Sequence, residues 1–132
     1  MGSRSSTFEA QERNDNQCPF SEKWKNELGS ILSITCKGES IVGKYNRAVG
    51  KAEHDYHLAG KYELLKGDDC MLGWSVAWKN QYKDAKSVTS WTGVYYKKDD
   101  KIKTQWVLGA YKEPNDYWNT FNTNQDVFSR VK

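Results

Sequence analysis

Gly73-Trp74-Ser75-Val76-Ala77-Trp78-Lys79-Asn80, then Gln81 to Lys86, then Ser87-Val88-Thr89-Ser90-Trp91-Thr92-Gly93, is the stretch whose reading decides the fold. Two alternating runs flank a short polar connection, the pattern of a β-hairpin with a longer loop. Side chains alternate between the two faces of a strand, so Trp74, Val76 and Trp78 share one face, and Ser87, Thr89, Trp91 and Gly93 share one face of the next strand. Together these faces set indoles beside small hydroxyls. A wall of that kind suits a small ligand with an apolar body and a few polar groups.

Outward from this hairpin the same grammar repeats. Trp24 to Leu28 reads as a short strand and Gly29 as a bend; Ser30 to Thr35 and Ile41 to Tyr45 are strands around a Lys37-Gly38-Glu39-Ser40 turn. Gly50 to Glu53 is a loop, Tyr56 to Glu63 a strand and Lys66 to Asp69 a turn. After the central hairpin come a charged tip at Lys97 to Lys101, a strand from Ile102 to Ala110 with Trp106 and Leu108 on one face, a loop at Pro114 to Asp116 and a last strand from Phe121 to Val131. That makes about eight short strands with no helical stretch beyond a turn or two. Both prolines, Pro19 and Pro114, fall outside strands, as sheet ladders require. Successive hairpins predict an all-β, eight-stranded antiparallel up-and-down β-barrel, wide enough to hold side chains or one small ligand. A sandwich is the alternative on pattern alone.

Composition sets the outer limits. A chain of 132 residues fits one domain with a real core. Six Trp and eight Tyr exceed what such a core needs and point to a binding surface or an interface. The net charge of +3 comes from interleaved acids and bases without a basic stripe, which argues against nucleic acid. No apolar run approaches ~20 residues, so no membrane span is expected. Met1 to Gln17 is polar; residues 1–20 read as a disordered N-terminal tail and 21–132 as the barrel domain. Cys18, Cys36 and Cys70 match no zinc spacing, and His54 and His57 read as strand-edge residues. One disulfide and one further thiol suit a secreted protein. No nucleophile–base pair, metal cluster or phosphate loop appears, so no enzyme is expected and no cofactor.

With Trp78 and Trp91 inward, parity places Asn26, Leu28 and Ser30, then Tyr45 and Arg47, then Trp106 and Leu108, then Asp126 and Phe128 on inner faces. Buried polar groups need partners, from protein, water or ligand. Asn26, Ser30, Tyr45 and Asp126 at one barrel end either satisfy one another or meet a ligand.

Several of these runs together resemble the avidin and streptavidin family, with the streptavidin branch nearer: Trp24-Lys25-Asn26-Glu27-Leu28-Gly29-Ser30, Ala48-Val49-Gly50-Lys51-Ala52-Glu53, Leu72 to Asn80, Ser90-Trp91-Thr92-Gly93 and Thr104-Gln105-Trp106. The similarity runs in order from Trp24 to Val131. It implies a barrel, usually a homotetramer, that binds biotin without catalysis. By position, Asn26, Ser30 and Tyr45 match the donors to the ureido oxygen, and Asp126 matches the acceptor for one ureido N–H. Thr89 matches the hydroxyl near the ring sulfur, and Trp78, Trp91, Trp106 and Leu108 match the apolar box. Trp118 matches the indole that reaches the neighbouring subunit's site. Ser87, with backbone from Gly50 and Lys51, matches the end that holds the carboxylate; Val49 and Ala85 match smaller contacts.

The departure from the pattern is Arg47. The family usually carries Ser or Thr there, accepting the second ureido N–H, and a guanidinium has donors only. Arg47 is expected to turn toward Asp126, Glu27 or solvent. The alternative function is an avidin-like barrel with an altered or lost ligand, acting in defence or as a structural or oligomerising module. Avidin's disulfide cannot form here, because the partner position for Cys18 carries Tyr95. The barrel implied by the resemblance brings all three cysteines to the end opposite the ligand; a Cys18–Cys70 bridge is expected, with Cys36–Cys70 competing.

Overall fold

The computed structural model describes residues 18–48 and 50–132. The eight strands are β1 (Glu22–Lys25), β2 (Ile31–Lys37), β3 (Ser40–Asn46), β4 (Asp55–Leu64), β5 (Cys70–Lys79), β6 (Asp84–Tyr96), β7 (Lys101–Ala110) and β8 (Phe121–Arg130). Each pairs antiparallel with its neighbour in sequence, and β1 returns to β8, so the sheet closes into the expected barrel and not the alternative sandwich. The closing seam is short: Trp24 opposes Arg130 and Lys25 opposes Ser129. Closure removes sheet edges, which an open antiparallel sheet must otherwise protect. Most of the tail read from residues 1–20 lies outside the described residues, but Cys18 and Phe20 are buried in the barrel, so its packed chain starts ahead of residue 21.

Alternation fills the interior. Along β5, Cys70, Leu72, Trp74, Val76 and Trp78 are buried while Met71, Ser75, Ala77 and Lys79 face out. Trp74 stacks on Trp91 with ring centroids 5.4 Å apart and meets Phe128 edge-on at 5.9 Å. These contacts are the offset and T-shaped geometries that aromatic quadrupoles prefer. Gly60 is needed where β4 crosses β5, because a Cβ there would lie 1.8 Å from the Gly73 carbonyl oxygen.

One strand is shorter than its residues suggest. β1 ends at Lys25, and residues 26–30 form a tight turn closed by Gly29 N–H to Asn26 O at 3.1 Å and Asn26 N–H to Ser30 O at 3.2 Å. Gly29 takes φ of +87°, which glycine adopts at no steric cost. The turn resets the side-chain phase, so Leu28, placed inward by parity, is 87% exposed. Two loops read from the sequence contain short 3-10 turns, Ala52–His54 and Pro114–Asn119.

The disulfide joins Cys18 to Cys36, with Cα atoms 6.2 Å apart, and not Cys18 to Cys70 as expected. The reason is local. Residues 18–21 turn back on themselves through Ser21 N–H to Cys18 O, toward β2, the strand on which β1 lies. Cys36 is the last inward residue of β2, and Ser21 Oγ lies 3.0 Å from Cys18 Sγ. Cys70 is buried at the start of β5, with its Sγ 3.8 Å from Asp68 O.

Arg130 fastens this closed end. Its guanidinium donates to Asp100 through Nε and Nη2 at 3.0–3.2 Å, to Ser21 O at 2.8 Å and to Pro19 O at 2.7 Å. It also lies 4.5 Å over the ring of Trp24, whose Nε1 donates to Phe20 O at 2.8 Å. One side chain thus ties the N-terminal segment, the β6–β7 turn and β8. Hydrogen bonds from Arg130 hold the Asp100 carboxyl below its ordinary range. A carboxyl depressed in the fold gives stability that is present above its unfolded value and lost as pH falls through its folded one. Arg130→Ala is therefore expected to cost roughly 1–3 kcal/mol in urea unfolding at neutral pH, allowing for partial solvent screening. Asp100→Asn is expected to flatten the acid limb of the stability–pH curve.

Candidate functional site

At the end opposite the disulfide the barrel opens into a cavity of about 320 Å³. Its lining comes from nearly every strand: Asn26, Leu28 and Ser30 from the first turn, Tyr45 and Arg47 at the end of β3, Trp78 from β5, Ser87, Thr89 and Trp91 from β6, Trp106 and Leu108 from β7, and Asp126 from β8. The strand residues converge because their side chains point into the open part of the barrel; the first turn carries Asn26 and Ser30 there, and Leu28 and Arg47 stand at the exposed rim.

The deep part is polar and preset. Asn26 Oδ1 accepts the backbone N–H groups of Ser30 at 2.9 Å and Leu28 at 3.1 Å. This fixes which way the amide faces, so Nδ2 reaches Tyr45 Oη at 3.3 Å and Asp126 Oδ2 at 3.4 Å. Trp91 Nε1 donates to the same Asp126 oxygen at 3.4 Å, and Thr104 Oγ1 donates to the Asp126 backbone oxygen at 2.9 Å. Burial pushes the Tyr45 phenol up to about 12, against a hydrogen bond from Ser30 that lowers it. Tyr45 thus stays protonated, and remains a donor, across the physiological range.

Indoles form the walls. Trp78 meets Tyr45 edge-on at 5.6 Å and Trp91 at 6.2 Å, and Tyr56 packs behind it at 4.9 Å. Trp78 Nε1 donates to Thr89 Oγ1 at 2.8 Å, which leaves the Thr89 hydroxyl hydrogen to point elsewhere. The Arg47 guanidinium lies 4.9 Å over the Trp78 ring. Of the three directions expected for Arg47, it stays on the solvent side; among the described residues it forms no ion pair with Asp126 or Glu27.

Two asparagines missed in the sequence hold the rim. Asn46 Nδ2 donates to Lys51 O at 3.0 Å, tethering the loop after β3. Asn80 Nδ2 donates to Glu53 O at 3.0 Å and Asp55 O at 2.9 Å, while its Oδ1 accepts from Tyr82 and Lys83 N–H. An amide at a strand end beside a polar loop was the available signal.

Other expected positions stand apart from the cavity wall. Gly50 and Lys51 are exposed in the rim loop, Ala85 is exposed on β6, and Trp118 is 72% exposed on the turn before β8. Val49 lies outside the described residues.

The barrel is closed, and its mouth opens on a fixed cluster of donors around one carboxylate, walled by indoles. A model of the avidin family matches residues 14–131, and the chain belongs to that family. It is an avidin-like binding protein of a non-catalytic class. An ultraviolet titration is expected to show one tyrosine ionising near pH 12, lost in Tyr45→Phe. Stability from that shift is present below the ordinary tyrosine value near 10 and disappears as pH rises toward 12.

Proposed function

We propose that the protein binds biotin, without turning it over, in the open end of the barrel, and does so as a homotetramer. The observation that carries this reading is the meeting of Asn26, Ser30, Tyr45 and Asp126 under Trp78, Trp91 and Trp106. The first three offer donors to one ligand oxygen, and the ureido oxygen of biotin is such a group. Because these donors are positioned by the protein's own hydrogen bonds, binding need not order them. Asp126 accepts one ureido N–H. The Thr89 hydroxyl faces the ring sulfur, the indoles and Leu108 enclose the bicycle, Ser87 with the backbone of Gly50 and Lys51 holds the carboxylate, and Val49 and Ala85 match the family's smaller contacts. Biotin is here a ligand and not a cofactor.

Trp118 has the exposure expected of a side chain that serves a neighbour's site. Val88, Val107 and Phe121 are exposed apolar residues on neighbouring strands β6, β7 and β8, which supports subunit contacts there. The Cys18–Cys36 bridge supports an oxidising, extracellular setting. A second reading, a barrel with altered ligand, rests on Arg47, whose donors face a place where a cyclic urea offers a donor of its own.

Calorimetric titration with biotin tests the proposal. Arg47→Ser is expected to tighten binding roughly five- to 150-fold, by removing a donor–donor conflict of about 1–3 kcal/mol. Asp126→Ala is expected to weaken it at least tenfold, and Trp118→Ala to weaken it without disturbing the barrel's circular dichroism.

A further inference from the structure

Among the polar groups that bound the cavity, two stand out by sign. Asp126 is buried and its carboxylate only accepts; Arg47 stands at the rim and its guanidinium only donates. Asn26, Ser30 and Tyr45, all able to donate, line the same cavity. Arg47 follows Tyr45 by two residues, on the same face, and its charge is felt at the Tyr45 phenol. The guanidinium is not committed to a carboxylate among the described residues. It is held against the Trp78 ring, which is itself a cavity wall. A cation over the face of a cavity wall stands beside whatever fills the cup, and its N–H groups are within reach of that occupant.

A ligand complementary to this arrangement has three different edges. Its centre accepts from Asn26, Ser30 and Tyr45. The side facing Asp126 donates. The side facing Arg47 must accept, because a ligand N–H there would meet another N–H and find no acceptor. A symmetric cyclic urea satisfies the first two edges and fails the third.

We propose that Arg47 makes the cavity selective for ring ligands with a carbonyl at the centre, an N–H toward Asp126 and a hydrogen-bond-accepting oxygen toward the guanidinium. This rests on the reading of the cavity as a biotin-type site and specifies which member of that chemical class it prefers. An anionic oxygen at that edge gains most, since a charge-assisted pair is stronger than a neutral one.

The probe is the cyclic carbamate of the biotin ring in which oxygen replaces the ring N–H that faces Arg47. Its affinity is compared with that of biotin by calorimetry, on the full chain and on Arg47→Ser and Arg47→Gln, which can accept as well as donate. Arg47 is exposed, and thermal melts verify that the variants fold. The carbamate is expected to bind the unaltered protein at least tenfold more tightly than biotin, with the preference lost or reversed in both variants. If biotin binds and the two ligands change in parallel on substitution, the selectivity proposal is overturned while the biotin reading stands. If neither ring binds the protein or either variant, the cyclic-urea reading falls and takes this proposal with it.

Discussion

The side-chain amide of Asn26 is the constraint on which the binding end depends. Its oxygen closes the turn between β1 and β2, and its nitrogen reaches Tyr45 on one side and, 100 residues further along the chain, Asp126 on the other. That last contact exists only because β8 lies against β1. Barrel closure and site geometry are therefore one event: until the seam forms, the carboxylate and the donors belong to opposite ends of the chain. The ordering cost falls on folding, and a ligand meets groups already aimed.

The two ends of the barrel divide the work. The closed end is tied by covalent and ionic means, with the Cys18–Cys36 bridge, the Arg130 guanidinium and the fully buried Trp24 and Phe20. The open end keeps polar groups that could not be left unpartnered in a dry core. Trp74, stacked on Trp91 and packed on Phe128, joins the two, so the indole that donates to Asp126 is braced from below. A site built on strands and supported by a packed layer is held more precisely than one built on loops.

Much of this was legible in the sequence because strands have a strict period of two. With Trp78 and Trp91 set inward, Asp126 could be placed inward by counting, and hairpins in succession pointed to a barrel while leaving a sandwich as the alternative. Counting fails wherever a turn inserts residues that belong to no strand. Leu28 shares parity with Asn26 and Ser30, yet the turn around Gly29 throws it outward. The cysteine pairing depended on residues 18–21 folding back toward β2, a path that no periodicity records. Asn46 and Asn80 read as ordinary polar residues at strand ends, and their role in tethering loops appears only when backbone carbonyls come within reach.

Arg47 shows how a single substitution can bias such a cup without dismantling it. A cation over an indole at an exposed site is held by only about 0.5–1 kcal/mol. A donor–donor conflict in a confined site costs about 1–3 kcal/mol. A ligand that brings an N–H to this edge can relieve the contact by pushing the guanidinium off Trp78 into water. Its penalty is then the lost stacking plus one missing acceptor, each of order 1 kcal/mol. Because Arg47 is exposed and forms no ion pair among the described residues, displacing it disturbs neither the Asn26 cluster nor the Trp74–Trp91 layer beneath. The rest of the pocket keeps its geometry, and discrimination between ligands is confined to the one edge where the charge sits.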